Sequence, residues 1–315
     1  MSEAGRSARR KFLRALAGVP AALGCLAGEA SAAKEIPRRV LGRTGLSCTI
    51  LGFGAAWLGI YKSEEPAIEL ARRALELGVN FFDTARDYGV SEERLGKALE
   101  GKRKNVVLMT KVLGRSREEA EKELETSLRM LRTDYLDVWQ IHSVKVQQDL
   151  EQIFGPNGSM EAALAAQKAG KVRFIGVTGH KDPETNLKAL SYYDFDTMQM
   201  PLNVVDLFYR SFEKTVLPEL VKRRTGVLAM KSMAGGWMLQ KAVARAREAL
   251  PYVWSLPMHV LISGVQTLEQ LEENARLARE FKPMREKEKA TLLERVRPMA
   301  GVQTEYYKLK PDGSL

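Results

Sequence analysis

Cysteine is almost absent from this chain: Cys25 and Cys48 are the two in 315 residues. Cys25 lies in the N-terminal segment described below, and once that segment is removed Cys48 has no partner. An intramolecular disulfide is then excluded, and the mature protein must be held by its core alone. Long apolar runs are missing too. The longest candidate, near the N-terminus, is shorter than the roughly 20 residues that a membrane span needs, so no stable span is expected after cleavage. The net charge is +10, but basic residues are interleaved with acidic ones. No stripe or cluster suits a phosphate backbone, so nucleic acid is not an expected partner. No Gly-x-Gly-x-x-Gly follows the first strand, since "LGFGAAWLG" runs on into Ala and Trp. That weakens a doubly wound dinucleotide fold. No linker or composition break divides the chain, and no metal site is expected.

What is present begins with a leader pattern. Arg9, Arg10, Lys11 and Arg14 precede an apolar stretch, and Ala30-Ser31-Ala32 is an Ala-x-Ala cleavage pattern. The paired arginines followed by Lys11-Phe12-Leu13-Arg14 look like a twin-arginine export signal. The expected layout is a signal peptide over residues 1–32 and one domain over 33–315. Its expected partner is the twin-arginine export machinery, and its expected location is the periplasm. "AALGC" departs from a lipid-attachment motif because Ala22 stands where leucine is expected.

Beyond the leader one unit recurs. Short apolar runs end in a polar residue, and an amphipathic helix follows. The runs are "CTILGFG", "VNFFDT", "NVVLMTK", "YLDVWQIH", "VRFIGVTGH", "FDTMQMPLN", "GVLAMKSM" and "HVLISGV". Near-continuous apolar runs mark strands buried on both faces, as in parallel sheets. The helices between them carry their own punctuation. Ser116 precedes acids and ends in basic residues, Asp182 precedes Pro183, and Thr267 opens the last one. Ser91 reads as the cap of a helix with Glu92 and Glu93 in its first turn. Eight such repeats predict an α/β fold, a closed (β/α)8 TIM barrel. "PRRVLGRTGLSCTI", with Gly42 and Gly45, predicts a β-hairpin before it.

In a barrel, residues at the C-terminal ends of strands face the active site. Strand two ends at Asp83, strand three at Lys111 and strand four at His142, with Tyr88 just beyond strand two. A tyrosine titrates near 10 in water. A lysine beside it favours the phenolate, and a carboxylate keeps a buried lysine charged. A histidine orients a carbonyl by hydrogen bonding. The set suits proton donation to a carbonyl oxygen while hydride reaches the carbon. His180, past strand five, reads as a substrate-site residue or a loop residue. His259 precedes strand eight, at the opposite end, and reads as structural.

At these residues the sequence resembles the aldo-keto reductase family. "NFFDTARDYGVSEERLGKAL", "VLMTKV" and "LDVWQIH" match that family's catalytic motifs, with Asp83, Tyr88, Lys111 and His142 in place. The likeness runs to "TLEQLEENARLA", nearly the whole mature chain. It implies a barrel, an NADP(H) cofactor and reversible reduction of an aldehyde or ketone. It also implies that Gln199 and Thr178 contact the nicotinamide carboxamide, with Gly179 in place of a usual Asn. Met230 falls where many members carry a stacking aromatic, and Lys231 and Ser232 fall within reach of the pyrophosphate. Gly264, Val265, Gln266 and Thr267 approach the adenosine phosphate at a helix N-terminus, and Glu273 and Asn274 hold the adenine. Gln270 replaces an Arg and Gly264 a Lys, which removes charge-assisted contacts to a 2′-phosphate. NAD(H) is therefore a second candidate cofactor. With a short tail after the last helix, Trp57, Tyr61 and Trp237 are expected to wall the substrate pocket. Two other readings stay open: a non-catalytic nicotinamide-binding subunit, and a Schiff-base aldolase or isomerase using Lys111 or Lys231.

Overall fold

The structure is a computed structural model that describes residues 34–241, 243–310 and 314. The leader expected over residues 1–32 lies outside the described residues. Two short strands, β1 (Arg38–Val40) and β2 (Ser47–Thr49), pair antiparallel with Arg39 opposite Cys48. This is the predicted hairpin. The predicted run "CTILGFG" divides at Ile50, so its first residues belong to the hairpin and only Leu51–Gly54 enters the barrel.

The barrel strands are β3 (Leu51–Gly54), β4 (Phe81–Asp83), β5 (Val107–Val112), β6 (Leu136–Ile141), β7 (Val172–Thr178), β8 (Thr197–Pro201), β9 (Gly226–Met230) and β10 (Val260–Gly264). They pair in parallel in sequence order, and β10 closes on β3. The predicted α/β barrel is therefore the observed fold. The helices are α1 (Glu64–Glu76), α2 (Ser91–Ala98), α3 (Arg117–Met130), α4 (Gln147–Phe154), α5 (Ser159–Lys168), α6 (Pro183–Tyr192), α7 (Phe212–Thr215), α8 (Leu217–Arg223), α9 (Trp237–Gln240), α10 (Ala246–Trp254), α11 (Leu268–Arg279) and α12 (Glu286–Val296).

Two apolar layers follow from the strand pleat. Inside the barrel, Phe81, Met109, Val138, Leu228 and Val260 pack with Leu41, Leu46 and Cys48 of the hairpin. The hairpin thus plugs the N-terminal end of the barrel. Cys48 is fully buried, and burial pushes its thiol up to about 12, so it is an inert core residue. Outside, alternate strand residues such as Phe82, Leu108 and Trp139 pack under the helices. Burying one such Phe contributes about 2 kcal/mol. His259 is structural as expected: its Nδ1 accepts a 2.9 Å bond from the Val227 amide, joining β9 to β10.

Ser116 forms a full capping box with Glu119, and Asp182 and Thr267 each cap their helix by accepting a backbone N–H. Ser91 does not. It is the first residue inside α2, and its hydroxyl donates instead to the Ala55 carbonyl at 2.7 Å and meets Thr84 Oγ1 at 2.9 Å. The buried hydroxyl therefore ties the start of the helix to the segments that follow β3 and β4.

The tail beyond α12 also departs from expectation. It does not leave the mouth open to Trp57, Tyr61 and Trp237 alone. Glu305, Tyr307 and Lys308 are buried. Lys308 Nζ binds Asp206 Oδ1 at 2.7 Å and Glu305 Oε2 at 2.9 Å. The Leu309 amide donates to the Lys181 carbonyl at 2.8 Å. Asp206 follows β8 and Lys181 follows β7, so the tail is fastened along the C-terminal face of the barrel.

Candidate active site

The site is built where β4, β5 and β6 end side by side. Asp83 closes β4, Lys111 is next to last in β5, and His142 is the first residue past β6. Asp83 and Lys111 are 3% and 1% exposed, so their charges must answer each other. Lys111 Nζ donates to Asp83 Oδ1 at 2.5 Å, to the Thr84 carbonyl at 2.8 Å and to Tyr88 Oη at 3.4 Å. Those three acceptors use all three ammonium protons. Burial pulls the Lys111 proton affinity down, but Asp83 and Tyr88 outweigh it, and the net shift is upward. Lys111 is a fixed cation.

Tyr88 differs from the expectation. Lys111 does favour its phenolate, but burial is the larger effect, and the Tyr88 hydroxyl titrates above its usual range. A neutral phenol donating from a dry site is therefore the resting state. The Tyr88 ring meets the His142 ring edge-on, with centroids 6.0 Å apart. Burial lowers the proton affinity of His142, and Asp87 offsets part of that loss. Asp87 Oδ1 lies 3.3 Å from His142 Nδ1, close enough for a charge contact but not aligned as a hydrogen bond.

The loop between β4 and α2 is braced on several sides. Gly59 touches the Tyr88 carbonyl so closely that an added Cβ would lie 1.9 Å from it. Glu92, 1% exposed, accepts from Thr110 Oγ1 at 2.7 Å and also binds Arg86. Glu92 lies in the first turn of α2 as expected, and there it also clamps the loop to strand β5. On the other side, Arg115 Nη2 donates to the His142 and Ser143 carbonyls at 2.8 and 3.2 Å. The sequence did not reveal the roles of Asp87, Arg115 and the tail residues, nor the bracing contacts of Glu92. Asp87 sits one residue before Tyr88, where adjacency was a signal, but the others depend on contacts made across the fold.

The remaining expected site residues surround the same end of the barrel. Thr178 Oγ1 accepts from the Ser143 amide at 2.8 Å. Gln199 Nε2 reaches Asp83 Oδ2 at 3.4 Å, while its buried Oε1 has no partner among the described residues. Gly179 has no room for a side chain, because a Cβ would lie 2.0 Å from Asn186 Oδ1. Met230 ends β9, Lys231 and Ser232 follow it, and Trp237 opens α9. His180 and Lys231 both meet the Tyr307 ring of the tail.

At the end of β10, residues Gly264, Gln266 and Thr267 form an exposed ledge leading into α11, with Val265 buried. Gln270 Oε1 accepts the Gln266 amide at 2.8 Å. Asn274 is buried and donates to Ser263 Oγ at 3.0 Å, whereas Glu273 is exposed. Trp57 stands against Gly264, and Tyr61 donates to the Gln266 carbonyl. These two aromatics therefore pack beside the ledge.

A parallel eight-stranded barrel whose mouth gathers Asp, Tyr, Lys and His defines an acid–base site on a TIM barrel. The family model described as "Aldo/keto reductase family" matches residues 50–248. The chain is 31% identical over 240 residues to "L-galactose dehydrogenase" of Arabidopsis thaliana, covering 69% of this chain and 72% of that protein. It is 32% identical over 214 residues to "Aldo-keto reductase YhdN" of Bacillus subtilis, covering 63% and 60%. An aldo-keto reductase of Bacillus halodurans, solved in a holo form, shares the fold at a TM-score of 0.73 and 22% identity over 86% of this chain and 100% of that one. A structure of a putative aldo-keto reductase from Pseudomonas aeruginosa gives a TM-score of 0.67 at 28% identity, covering 78% and 97%. The chain belongs to the aldo/keto reductase family and is, by that membership, an oxidoreductase.

Proposed function

We propose that this protein is a nicotinamide-dependent carbonyl reductase, with Tyr88 as the group that gives its proton to the carbonyl oxygen. The observation that carries the reading is the triple engagement of Lys111 by Asp83, Thr84 and Tyr88. It fixes a cation behind the Tyr88 hydroxyl. As Tyr88 releases its proton, the developing phenolate is stabilised by Lys111, and Asp83 keeps Lys111 from giving up a proton of its own. His142 stands across from Tyr88 and orients the carbonyl.

A bound NAD(P)H supplies the hydride. The residues present fit such a group. The unpartnered Oε1 of Gln199 is an acceptor awaiting an amide N–H, and the ledge before α11 offers backbone donors to a phosphate. The Schiff-base alternative fares worse at Lys111: a lysine held protonated by Asp83 lacks the lone pair that attacks a carbonyl. At Lys231, whose proton affinity burial lowers, borohydride trapping of a carbonyl substrate on the protein would favour it.

The test is Tyr88→Phe. Cofactor affinity, measured by fluorescence, is expected to persist, while turnover of a simple aldehyde falls about a hundredfold to ten-thousandfold. Near-normal turnover would remove Tyr88 from the mechanism.

A further inference from the structure

One half-buried cation at the mouth has no counter-charge among the described residues. Lys111 is answered by Asp83, and Lys308 by Asp206 and Glu305. The side chain of Lys231, half-buried at the turn after β9, has no carboxylate and no hydrogen bond among the described residues. Its ammonium lies 5.0 Å from the centre of the Tyr307 ring. Its backbone is in the left-handed region, with φ 54°. That conformation costs a residue with a side chain on the order of 1 kcal/mol, so a strained turn aims this side chain at the tail. The tail in turn is tied to Lys181 through the Leu309 amide. His180 sits in the same group, with its ring 6.4 Å from that of Tyr307. Burial is the main reason that His180 titrates at about 3, and the charges acting most on it, from Lys231, His142, Lys181 and Lys145, are all positive. His180 is therefore neutral, and burial followed by the charge of Lys181 lowers the proton affinity of Lys231, which a bound anion would restore.

We propose that Lys231, beside Lys181 and His180, is an anion site that takes a carboxylate or phosphate carried by the carbonyl substrate. This rests on the reductase reading and narrows its substrate class. Two features place the anion on the substrate side. Lys231 leans toward the loop after β7 and the tail, while the ledge after β10 lies beyond the opposite edge of β9. Tyr88 meets the His142 ring, whereas Lys231 meets the Tyr307 ring that His180 also meets, so the two ends of the site rest on different partners. The favoured substrate therefore has a spacer, such as an aromatic ring or several carbons, between its carbonyl and its anionic group. An α-keto acid, with the two groups adjacent, does not span the gap. The same chemistry is present in the dinucleotide's pyrophosphate, and the experiment separates the two sources.

The probes are 4-formylbenzoate and its uncharged methyl ester, equal in reacting group and differing in charge. The wild-type protein is expected to favour the acid in kcat/KM by about tenfold or more, the size of a charge-assisted contact. In Lys231→Met that ratio falls toward one, and Lys231→Arg preserves it, which separates charge from packing. Calorimetric binding of 4-(hydroxymethyl)benzoate weakens by a similar factor in Lys231→Met, and this readout needs no turnover. Equal use of acid and ester by the wild type, or a ratio that Lys231→Met leaves unchanged, overturns the proposal. So does a Lys231→Met variant whose loss lies in NADPH affinity, because the anion is then the pyrophosphate. If neither aldehyde is reduced but the hydroxymethyl acid binds through Lys231, the anion site stands and the reductase reading falls.

Discussion

At the scale of single residues, the site is governed by the balance between burial and charge. For Lys111 the neighbouring charges win over burial, while for Tyr88 and His142 burial wins. The difference lies in partners. Lys111 has a carboxylate at 2.5 Å, Tyr88 has a cation at 3.4 Å that must act against nearby Asp83 and Asp87, and His142 has a partly exposed carboxylate at 3.3 Å. Asp87 is thus the main group that restores proton affinity to His142, with Asp83 adding a smaller share. Replacing it with Asn removes an upward influence, so His142 must titrate lower still. We expect the imidazole titration of Asp87→Asn, followed by NMR, to move down. An upward or absent shift would show that Asp87 does not govern the ring.

Each element contributes to the site by what it fixes next to it. Helix α2 opens with Ser91 and Glu92 turned inward, and both brace the loop that carries Tyr88. The segment Ala55–Gly59 presses on the same loop, and only glycine fits at position 59. Helix α11 presents the ledge after β10, where Gln270 already occupies the Gln266 amide. A neutral side chain engaged with its own loop offers little to a 2′-phosphate. NADPH and NADH are therefore expected to bind within about tenfold of each other in fluorescence titrations, and Gln270→Arg should shift the preference toward NADPH. A strong NADPH preference in the unaltered protein would refute this account of α11.

For the molecule as a whole, the hairpin plugs one end of the barrel and the tail is locked onto the other. The lock is ionic: Asp206 and Glu305 are buried against Lys308, and burial together with Asp206 raises the proton affinity of Glu305. Removing one partner of a buried set leaves uncompensated charge, at a cost of about 3 kcal/mol or more. Lys308→Met is expected to lower Tm by roughly 10 °C and to expose the tail to proteolysis. An unchanged Tm would mean that the tail is held by its apolar contacts instead. The leader belongs to this scale also. We propose export in the folded state, and Arg9→Lys with Arg10→Lys should leave the protein in the cytoplasm on fractionation. Unimpaired export of that double variant would assign the N-terminal segment another role.

The sequence by itself determined the barrel, because strands buried on both faces must be apolar throughout and their repetition counts them. It also located Asp83, Lys111 and His142, because a charged residue ending such a run has only the mouth to face. Tyr88 was legible through its spacing from Asp83. The tertiary structure alone decided which effect prevails on each proton, since burial depends on every neighbour at once. It alone made braces of Ser91 and Glu92 at the helix start, brought Asp87 against His142, and carried the tail back over the barrel. Those contacts join residues as far apart as Asp206 and Lys308, whose local sequence holds no periodicity that records the partner. Lys231 reads as one basic residue among many in the sequence; only the folded chain leaves it half-buried without an answering charge.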